Sequence, residues 1–209
     1  MPILTFMSDL IGYAAHLAQT LDGHVNGDGD AARLPPVDQW TPDYCGRLDL
    51  TIRRDGVWVH EGTPISRPRL VRLFSTILKK EGDTHYLVTP VEKLSIHVED
   101  VPFVMIGMTI DHPGTEQIVT LVSNMGDEVT LTGDTPLTFR DIPMTDYRAP
   151  YVTVRRNLEG RLARPVYYEL AQTASPQSVN GAERFGFWST GHFFDFDDGL
   201  DRSLWAPSP

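Results

Sequence analysis

The sequence predicts an α+β protein of two small domains, each built mostly from antiparallel strands with one helix. Segments of strand length alternate apolar and polar residues around turn dipeptides such as Asp55-Gly56. The order strand, helix, tyrosine-bearing strand occurs twice, over Val57–Val88 and again over Tyr151–Leu170. This repeat indicates that the two domains arose by duplication.

Length and charge limit the classes of function. The chain has 209 residues, enough for one large or two small domains, and 10% of them are aromatic, so a core can form. Its 28 acidic and 18 basic residues give a formal net charge of −10. This charge opposes binding of DNA, RNA or an anionic membrane by bulk electrostatics, so we expect no nucleic-acid partner.

Neither secretion nor membrane insertion is expected. Cys45 is the single cysteine, and Met1–Leu10 carries no basic residue ahead of an apolar stretch. The longest apolar run, Phe103–Met108, is far shorter than the roughly 20 residues that span a bilayer. A cytoplasmic location is therefore the expectation.

The ends of the chain are predicted to lie outside the folded domains. Thr5–Leu21 has a helical apolar stripe, and the turn formers that follow it, ending in Pro35-Pro36, indicate a linker. The predicted divisions are an N-terminal helix and linker at residues 1–36, the first domain at 37–100, the second domain at 101–195 and an acidic tail at 196–209.

The first domain is predicted to begin with a hairpin. Leu48, Leu50 and Ile52 alternate with polar residues, and the apolar segment Val57–His60 follows Asp55-Gly56, a dipeptide typical of hairpin turns. Strands at His85–Thr89 and Leu94–Val98 are predicted later in this domain, and apolar and polar residues alternate along the second of them.

A helix is predicted between these two pairs of strands. Five apolar residues recur at helical spacing, namely Leu70, Leu73, Phe74, Ile77 and Leu78. Ser66 is the expected cap, Pro68 lies in the first turn, and Gly82 ends the helix. We expect this helix to cover the first sheet.

The second domain is predicted to be mostly β. Its expected strands are Val101–Ile106, Ile118–Val122, Val129–Leu131, Leu137–Phe139 and Tyr151–Arg155. A short helix is expected to run from Asn157 as its cap, through Leu158 and Leu162, until Pro165 stops it. Val166–Leu170 then resumes a strand.

The sequence contains no complete nucleotide-binding loop and no nucleophile elbow. Asn26, Asp28 and Asp30 start a calcium-loop pattern, but Ala31 replaces its glycine and Val37 its closing glutamate, so no metal site is expected.

Two histidine–glutamate pairs support one function class, an enzyme. His60 with Glu61, or His97 with Glu99, could supply an acid and a base to a hydrolase or lyase. A protein-interaction scaffold is a third class, and a broad apolar surface would mark it.

Basic and aromatic residues support the other class, a non-catalytic binding or regulatory protein. Arg67, Arg69, Arg72 and Lys79 lie on the helix side opposite its apolar stripe, and Lys93 follows soon after. Arg155 and Arg156 end a strand, while Tyr167, Tyr168 and Trp188 offer stacking faces. Such groups suit a small anionic ligand that has a planar ring.

Several motifs resemble the bacterial domain-of-unknown-function family 1285. They include Pro35-Pro36-Val37, Glu61-Gly62-Thr63-Pro64-Ile65, Leu87-Val88-Thr89-Pro90-Val91-Glu92-Lys93, Asn124-Met125-Gly126-Asp127 and Pro150-Tyr151-Val152-Thr153-Val154-Arg155. The resemblance covers residues 35–195. It implies two α+β domains formed by duplication, the second similar to a pleckstrin-homology fold. It also implies a site at the domain interface for a nucleotide-like ligand and a regulatory role in signalling.

Polar residues at the ends of the predicted elements are the candidates for this site, because loops between elements commonly carry binding groups. The candidate ligand-binding residues are Glu61, Arg72, Thr89, Glu92, Lys93, Asn124, Asp127 and Arg155. Glu92 and Lys93 could instead form a structural ion pair. The sequence identifies no particular cofactor, catalytic residue or protein partner.

Overall fold

The computed structural model describes residues 34–114 and 116–196, and these form two compact units. The first unit comprises the described residues up to Arg53 together with Val57–Glu99, and the second comprises Arg54–Gly56 and the described residues from Asp100. The predicted N-terminal helix, and the predicted tail after Phe196, lie outside the described residues.

The described part of the first unit has a six-stranded sheet, a short 3-10 helix at Val37–Gln39 and one α-helix. Its elements are β1 (Tyr44–Ile52), β2 (Trp58–His60), β3 (Thr63–Pro64), α1 (Pro68–Thr76), β4 (Leu78–Glu81), β5 (Thr84–Val88) and β6 (Lys93–Val98). The strand order is β3-β2-β1-β6-β5-β4. β1 and β6 are parallel and the other neighbours are antiparallel. The predicted β1–β2 hairpin is confirmed.

Alternation along β1 separates the two faces of this sheet. One face carries the buried side chains of Leu48, Leu50 and Ile52. Arg47 and Asp49 point to the other face and are exposed. Phe74 of α1 lies against Trp58 of β2 with ring centres 6.4 Å apart. Because Trp58 is paired with Ile52, α1 packs on the buried face. We call this the inner face and the opposite one the outer face.

Helix α1 is shorter than predicted. It ends at Thr76, and Leu78, expected in the last helical turn, is the first residue of β4. Gly82 lies in the tight turn between β4 and β5. The predicted cap Ser66 precedes the helix without capping it, and Pro68 is its first residue. The apolar spacing misled the prediction because a buried strand that follows a helix directly continues the same run of apolar residues.

The second unit contains two sheets and one helix in its described part. Its elements are β7 (Phe103–Asp111), β8 (Ile118–Ser123), β9 (Glu128–Thr130), β10 (Thr138–Asp141), β11 (Arg148–Arg155), β12 (Leu158–Leu162), α2 (Arg164–Gln172), β13 (Ser175–Val179), β14 (Ala182–Ser189) and β15 (His192–Asp195). The larger sheet has the order β10-β11-β12-β7-β8-β9, and the smaller has the order β13-β14-β15. β7 and β12 are parallel.

Both sheets and α2 contribute to one core. Its buried members include Met105, Val119, Leu121, Val152 and Leu162 from the larger sheet, Val166 and Leu170 from α2, and Phe187 and Phe194 from the smaller sheet. The rings of Phe187 and Phe194 stack with centres 5.0 Å apart. Burying one side chain of this size contributes about 1.5–3 kcal/mol before entropy is subtracted. The smaller sheet therefore packs against the larger one as an integral part of the unit.

Two predictions in the second unit are wrong. The segment from Asn157 to Leu162, predicted as a helix, turns tightly at its start and then forms β12. Val166–Leu170, predicted as a strand, lies within α2. Leu158 and Leu162 are four residues apart, a spacing that both a helix and an alternating strand satisfy. Pro165 begins α2 instead of ending a helix, because the first turn needs no donor at that position.

The two units share one strand order. Each unit has one six-stranded sheet. In each of these sheets the first three strands form one meander, the last three form another, and the first strand pairs in parallel with the sixth. The repeated feature is therefore this sheet, and not the strand, helix, tyrosine-strand order predicted from the sequence. The helix follows the third strand in the first unit and the sixth strand in the second. The similarity of the second unit to a pleckstrin-homology fold stays a prediction.

Gly186 tests the packing of the smaller sheet. A methyl group added there would collide with the backbone carbonyl oxygen of Phe194 and the ring of Phe193. We expect Gly186→Ala to lower the free energy of unfolding by about 2 kcal/mol or more, because the backbone cannot move away without breaking the ladder.

Gly107→Ala is the matched control, since its added methyl group would meet only Val122 at an ordinary 3.6 Å. We expect a change within about 0.5 kcal/mol. Urea unfolding followed by circular dichroism measures both variants. Equal losses would show that the close packing around Gly186 does not contribute to stability.

Candidate functional site

Strand register places a group of polar and aromatic side chains on the outer face of the first sheet. Tyr86 is paired with Ser95 on one side and with Lys79 on the other, so all three side chains share a face. Tyr44 is paired with Lys93 across the parallel β1–β6 ladder. We define the outer-face cluster as Tyr44, Lys79, Glu81, Tyr86, Lys93 and Ser95.

Two lysines in this cluster bind the same carboxylate. Lys93 Nζ lies 2.9 Å from Glu81 Oε2, and Lys79 Nζ lies 3.2 Å from Glu81 Oε1. The hydrogen bond between Lys93 and Glu81 raises the pKa of the lysine and lowers the pKa of the glutamate. The three groups together carry one excess positive charge at neutral pH.

Each lysine also has a second contact. Lys79 Nζ donates a hydrogen bond to the carbonyl oxygen of Trp40 at 3.4 Å. Lys93 Nζ lies over the ring of Tyr86, 5.0 Å from its centre. These contacts position both ammonium groups independently of Glu81.

Two tyrosines lie beside the lysines. The rings of Tyr44 and Tyr86 meet edge to face with centres 6.4 Å apart. The hydroxyls of Tyr44 and Ser95 are hydrogen-bonded at 3.1 Å. Tyr44 is 58% exposed, so a large aromatic surface remains open to solvent beside Lys93.

Thr89 and Glu92 belong to the turn that leads into Lys93. The Thr89 hydroxyl oxygen accepts hydrogen bonds from the amides of Val91 at 3.3 Å and Glu92 at 3.0 Å. The buried Thr89 therefore closes the turn from its side chain. Lys93 pairs with Glu81 instead of Glu92, the partner considered from the sequence.

Arg72 and Glu61 do not join the outer-face cluster. Arg72 is exposed on α1, which covers the inner face, whereas Lys93 is on the outer face. Glu61 is exposed in the turn between β2 and β3, where its backbone φ is 48°. The five candidates of the first unit therefore lie in three places: the exposed side of α1, the turn between β2 and β3, and the segment from Thr89 to Lys93.

The histidines considered for acid–base chemistry lie on opposite faces. His60 is paired with Leu50, whose side chain points inward, and His97 is paired with Thr51, which points outward. The two histidines therefore do not share a site on this sheet.

The three candidates of the second unit come together. Asn124 and Asp127 share the turn between β8 and β9, and Arg155 forms an ion pair with Asp127. Asp127 also accepts a hydrogen bond from the Ser123 hydroxyl at 3.0 Å. The Asn124 side-chain oxygen accepts one from the Val104 amide at 3.1 Å.

Arg155 is held away from water. Its side chain is 10% exposed, and its guanidinium lies over the ring of Phe103 at 4.6 Å from the centre. Burial lowers the pKa of Arg155, and the Asp127 carboxylate opposes this shift. These contacts serve to join β8, β11 and β7, and a role for the three residues in ligand binding stays a prediction.

Sequence reasoning missed a second polar network in this unit. The Tyr151 hydroxyl donates to Asp100 at 3.0 Å, and Arg161 Nε binds the same carboxylate at 2.9 Å. The Arg140 guanidinium stacks on the Tyr151 ring at 3.8 Å. Burial, followed by the Asp100 carboxylate, raises the pKa of Tyr151 to about 12. Alternation along single strands predicts none of these contacts, because Asp100 and Arg161 are distant in sequence.

Within residues 34–114 and 116–196, no group of three or more His, Cys, Asp or Glu side chains is arranged to hold a metal ion. None of the helices in these ranges has the length and apolar character needed to cross a membrane.

Family comparison agrees with the resemblance noted in the sequence. Residues 35–101 match the N-terminal domain of the domain of unknown function DUF1285, and residues 102–196 match the C-terminal domain of the DUF1285 proteins of unknown function. The chain belongs to the DUF1285 family. No curated protein matches the chain.

Two crystal structures of DUF1285 proteins are similar to this chain. The protein from Silicibacter pomeroyi DSS-3 is 36% identical, with a TM-score of 0.77 over 94% of this chain and 98% of its own. The protein from Shewanella baltica OS155 is 25% identical, with a TM-score of 0.48 over 60% of this chain and 92% of its own. The first match extends the DUF1285 assignment to the three-dimensional fold.

The Asp127–Arg155 pair yields a stability prediction. Arg155→Ala should lower the free energy of unfolding by about 3 kcal/mol, because it leaves a mostly buried carboxylate without its cation. Urea denaturation monitored by circular dichroism provides the measurement.

Arg148→Ala is the control, because Arg148 pairs with Asp141 and both side chains are mostly exposed, at 51% and 82%. We expect a loss below about 1 kcal/mol. If Arg155→Ala cost no more than this control, the buried pair would not be a structural contact of the second unit.

Proposed function

We propose that this protein is a non-catalytic binding protein whose outer-face cluster holds a small anionic ligand, and that it has a regulatory role in signalling. One observation supports this most directly: Lys79 and Lys93 bring their ammonium groups to a single anion, the Glu81 carboxylate. A ligand phosphate or carboxylate at that position would find two cations already in place.

The tyrosines favour a ligand that also has a planar ring. Tyr44 offers an exposed ring beside Lys93, and Tyr86 supports it edge to face. A ring that stacks on Tyr44 while its anionic group reaches the lysines has the form of a nucleotide. The nucleotide-like ligand implied by the family resemblance fits this arrangement.

The chemistry of the cluster favours binding over catalysis. A lysine acts as a nucleophile or base only when its pKa falls toward neutrality. The bond to Glu81 raises the pKa of Lys93 and keeps its ammonium charged. A permanently charged lysine provides electrostatic attraction, which is what recognition of an anion requires.

The regulatory part of the proposal rests on the family resemblance. The resemblance also implies a location at the domain interface, and that location stays a prediction.

A nucleotide panel tests the proposal. We expect AMP, ADP or ATP to raise the Tm of the full chain by at least about 5 °C at concentrations near one hundred times Kd. Lys93→Ala should abolish the shift, because it removes one of the two ammonium groups. Differential scanning fluorimetry provides the measurement and titration calorimetry the affinity.

Arg69→Ala is the charge-matched control, since Arg69 is exposed on α1 and belongs to the same unit. It should retain the ligand-induced shift. A wild-type chain that responds to none of these ligands, or a control that loses the shift as fully as Lys93→Ala, would overturn the proposal.

A further inference from the structure

Glu81 occupies the position that a ligand anion would take. Its two carboxylate oxygens are divided between the lysines, Oε1 to Lys79 and Oε2 to Lys93. A ligand that bridges the same two ammonium groups must displace it. The cluster therefore contains its own competing anion.

This competition determines which ligands can bind. A ligand with one carboxylate would replace the two contacts of Glu81 with two similar contacts, and would also lose translational and rotational freedom. A phosphate monoester carries close to two negative charges at pH 7 and three strong acceptor oxygens. Its attraction to two ammonium groups exceeds that of a carboxylate, so it can displace Glu81 where a monocarboxylate cannot.

The geometry allows Glu81 to leave without dismantling the site. Its side chain is 39% exposed. Glu81 is the last residue of β4, next to the turn at Gly82. Lys79 keeps its bond to the Trp40 carbonyl, and Lys93 keeps its position over the Tyr86 ring. Both ammonium groups thus stay in place when the carboxylate moves into solvent.

We propose that the outer-face cluster selects phosphate monoesters, with Glu81 as an internal competitor that excludes singly charged carboxylates. This inference rests on the proposed function, because it concerns the same site. The lowered pKa of Glu81 agrees with a carboxylate held between two cations.

Phenyl phosphate and benzoate form a matched pair of probes. Each has one phenyl ring for Tyr44 and one anionic group, and they differ mainly in charge. At constant ionic strength, calorimetry with the wild-type chain should show phenyl phosphate binding about tenfold or more tightly than benzoate. Benzoate binding as tightly as phenyl phosphate would overturn the proposed selectivity.

Glu81→Gln removes the competitor and keeps the shape of the side chain. We expect it to tighten the binding of both probes by about fivefold or more, because neither must displace an anion. Asp83→Asn is the control, since it removes the same charge from the exposed turn next to β4. We expect less than about a twofold change in that variant.

The outcomes separate this inference from the proposed function. If phenyl phosphate binds the wild-type chain and Glu81→Gln does not bind it more tightly than Asp83→Asn, Glu81 is not a competitor and this inference alone fails. If neither probe binds wild type or Glu81→Gln, the proposed function fails and the inference fails with it.

A measurement on the unaltered chain avoids any effect of substitution on folding. Carbon-detected NMR of the Glu81 carboxyl should show its pKa rising toward the ordinary value when phenyl phosphate is saturating, because the lysines have been transferred to the ligand. An unchanged Glu81 titration in a chain that binds phenyl phosphate would contradict displacement.

Discussion

The architecture of each unit depends on one parallel pairing, between its first and sixth strands. β1 lies beside β6, and β7 lies beside β12. Parallel neighbours cannot be joined by a short hairpin, so the intervening strands must extend outward on both sides before the chain returns to the centre. The arrangement of two meanders about a central parallel pair follows from this requirement. In the first unit the same pairing sets Tyr44 beside Lys93 and so creates the outer-face cluster.

Much of the β-structure could be predicted from local patterns, and the failures have identifiable causes. Alternation around Asp55-Gly56 predicted the first hairpin correctly, because a strand with one buried face needs a period of two. The segment at Leu158–Leu162 was assigned to a helix since its two leucines fit both periods. Pro165 was interpreted as a helix end when it lies in a first helical turn. Such ambiguities are resolved by tertiary packing and not by spacing.

The candidate site shows a similar division between local and distant information. Lys93 was identified from its place after a turn, but Glu81 was not, because the two meet across β5 only when the sheet forms. Asp127 and Arg155 were both identified as polar residues at element ends. Their mutual pairing, over 28 positions of sequence, could not be read from either residue alone.

Solvent exposure gives similar ion pairs different roles. Arg155 and Asp127 have little contact with water, so separating them would leave a charge that water cannot fully stabilise. Glu81 is more exposed, so water can stabilise its negative charge when the lysines no longer bind it. The first pair is therefore suited to a permanent contact and the second to exchange. The sequence contains the charged residues of both, and only the fold determines their exposure.

The joining of first and last strands also affects how the protein is made. During synthesis a chain emerges from the ribosome N-terminus first, at about 5–20 residues per second. β1 emerges early, yet its parallel partner β6 is among the last parts of that sheet to be synthesised. During those seconds the backbone N–H and C=O groups on one edge of β1 are unpaired and can bond to other chains. One edge of β7 is unpaired in the same way until β12 is made. Newly made copies are consequently most prone to associate wrongly just before each central strand finds its partner.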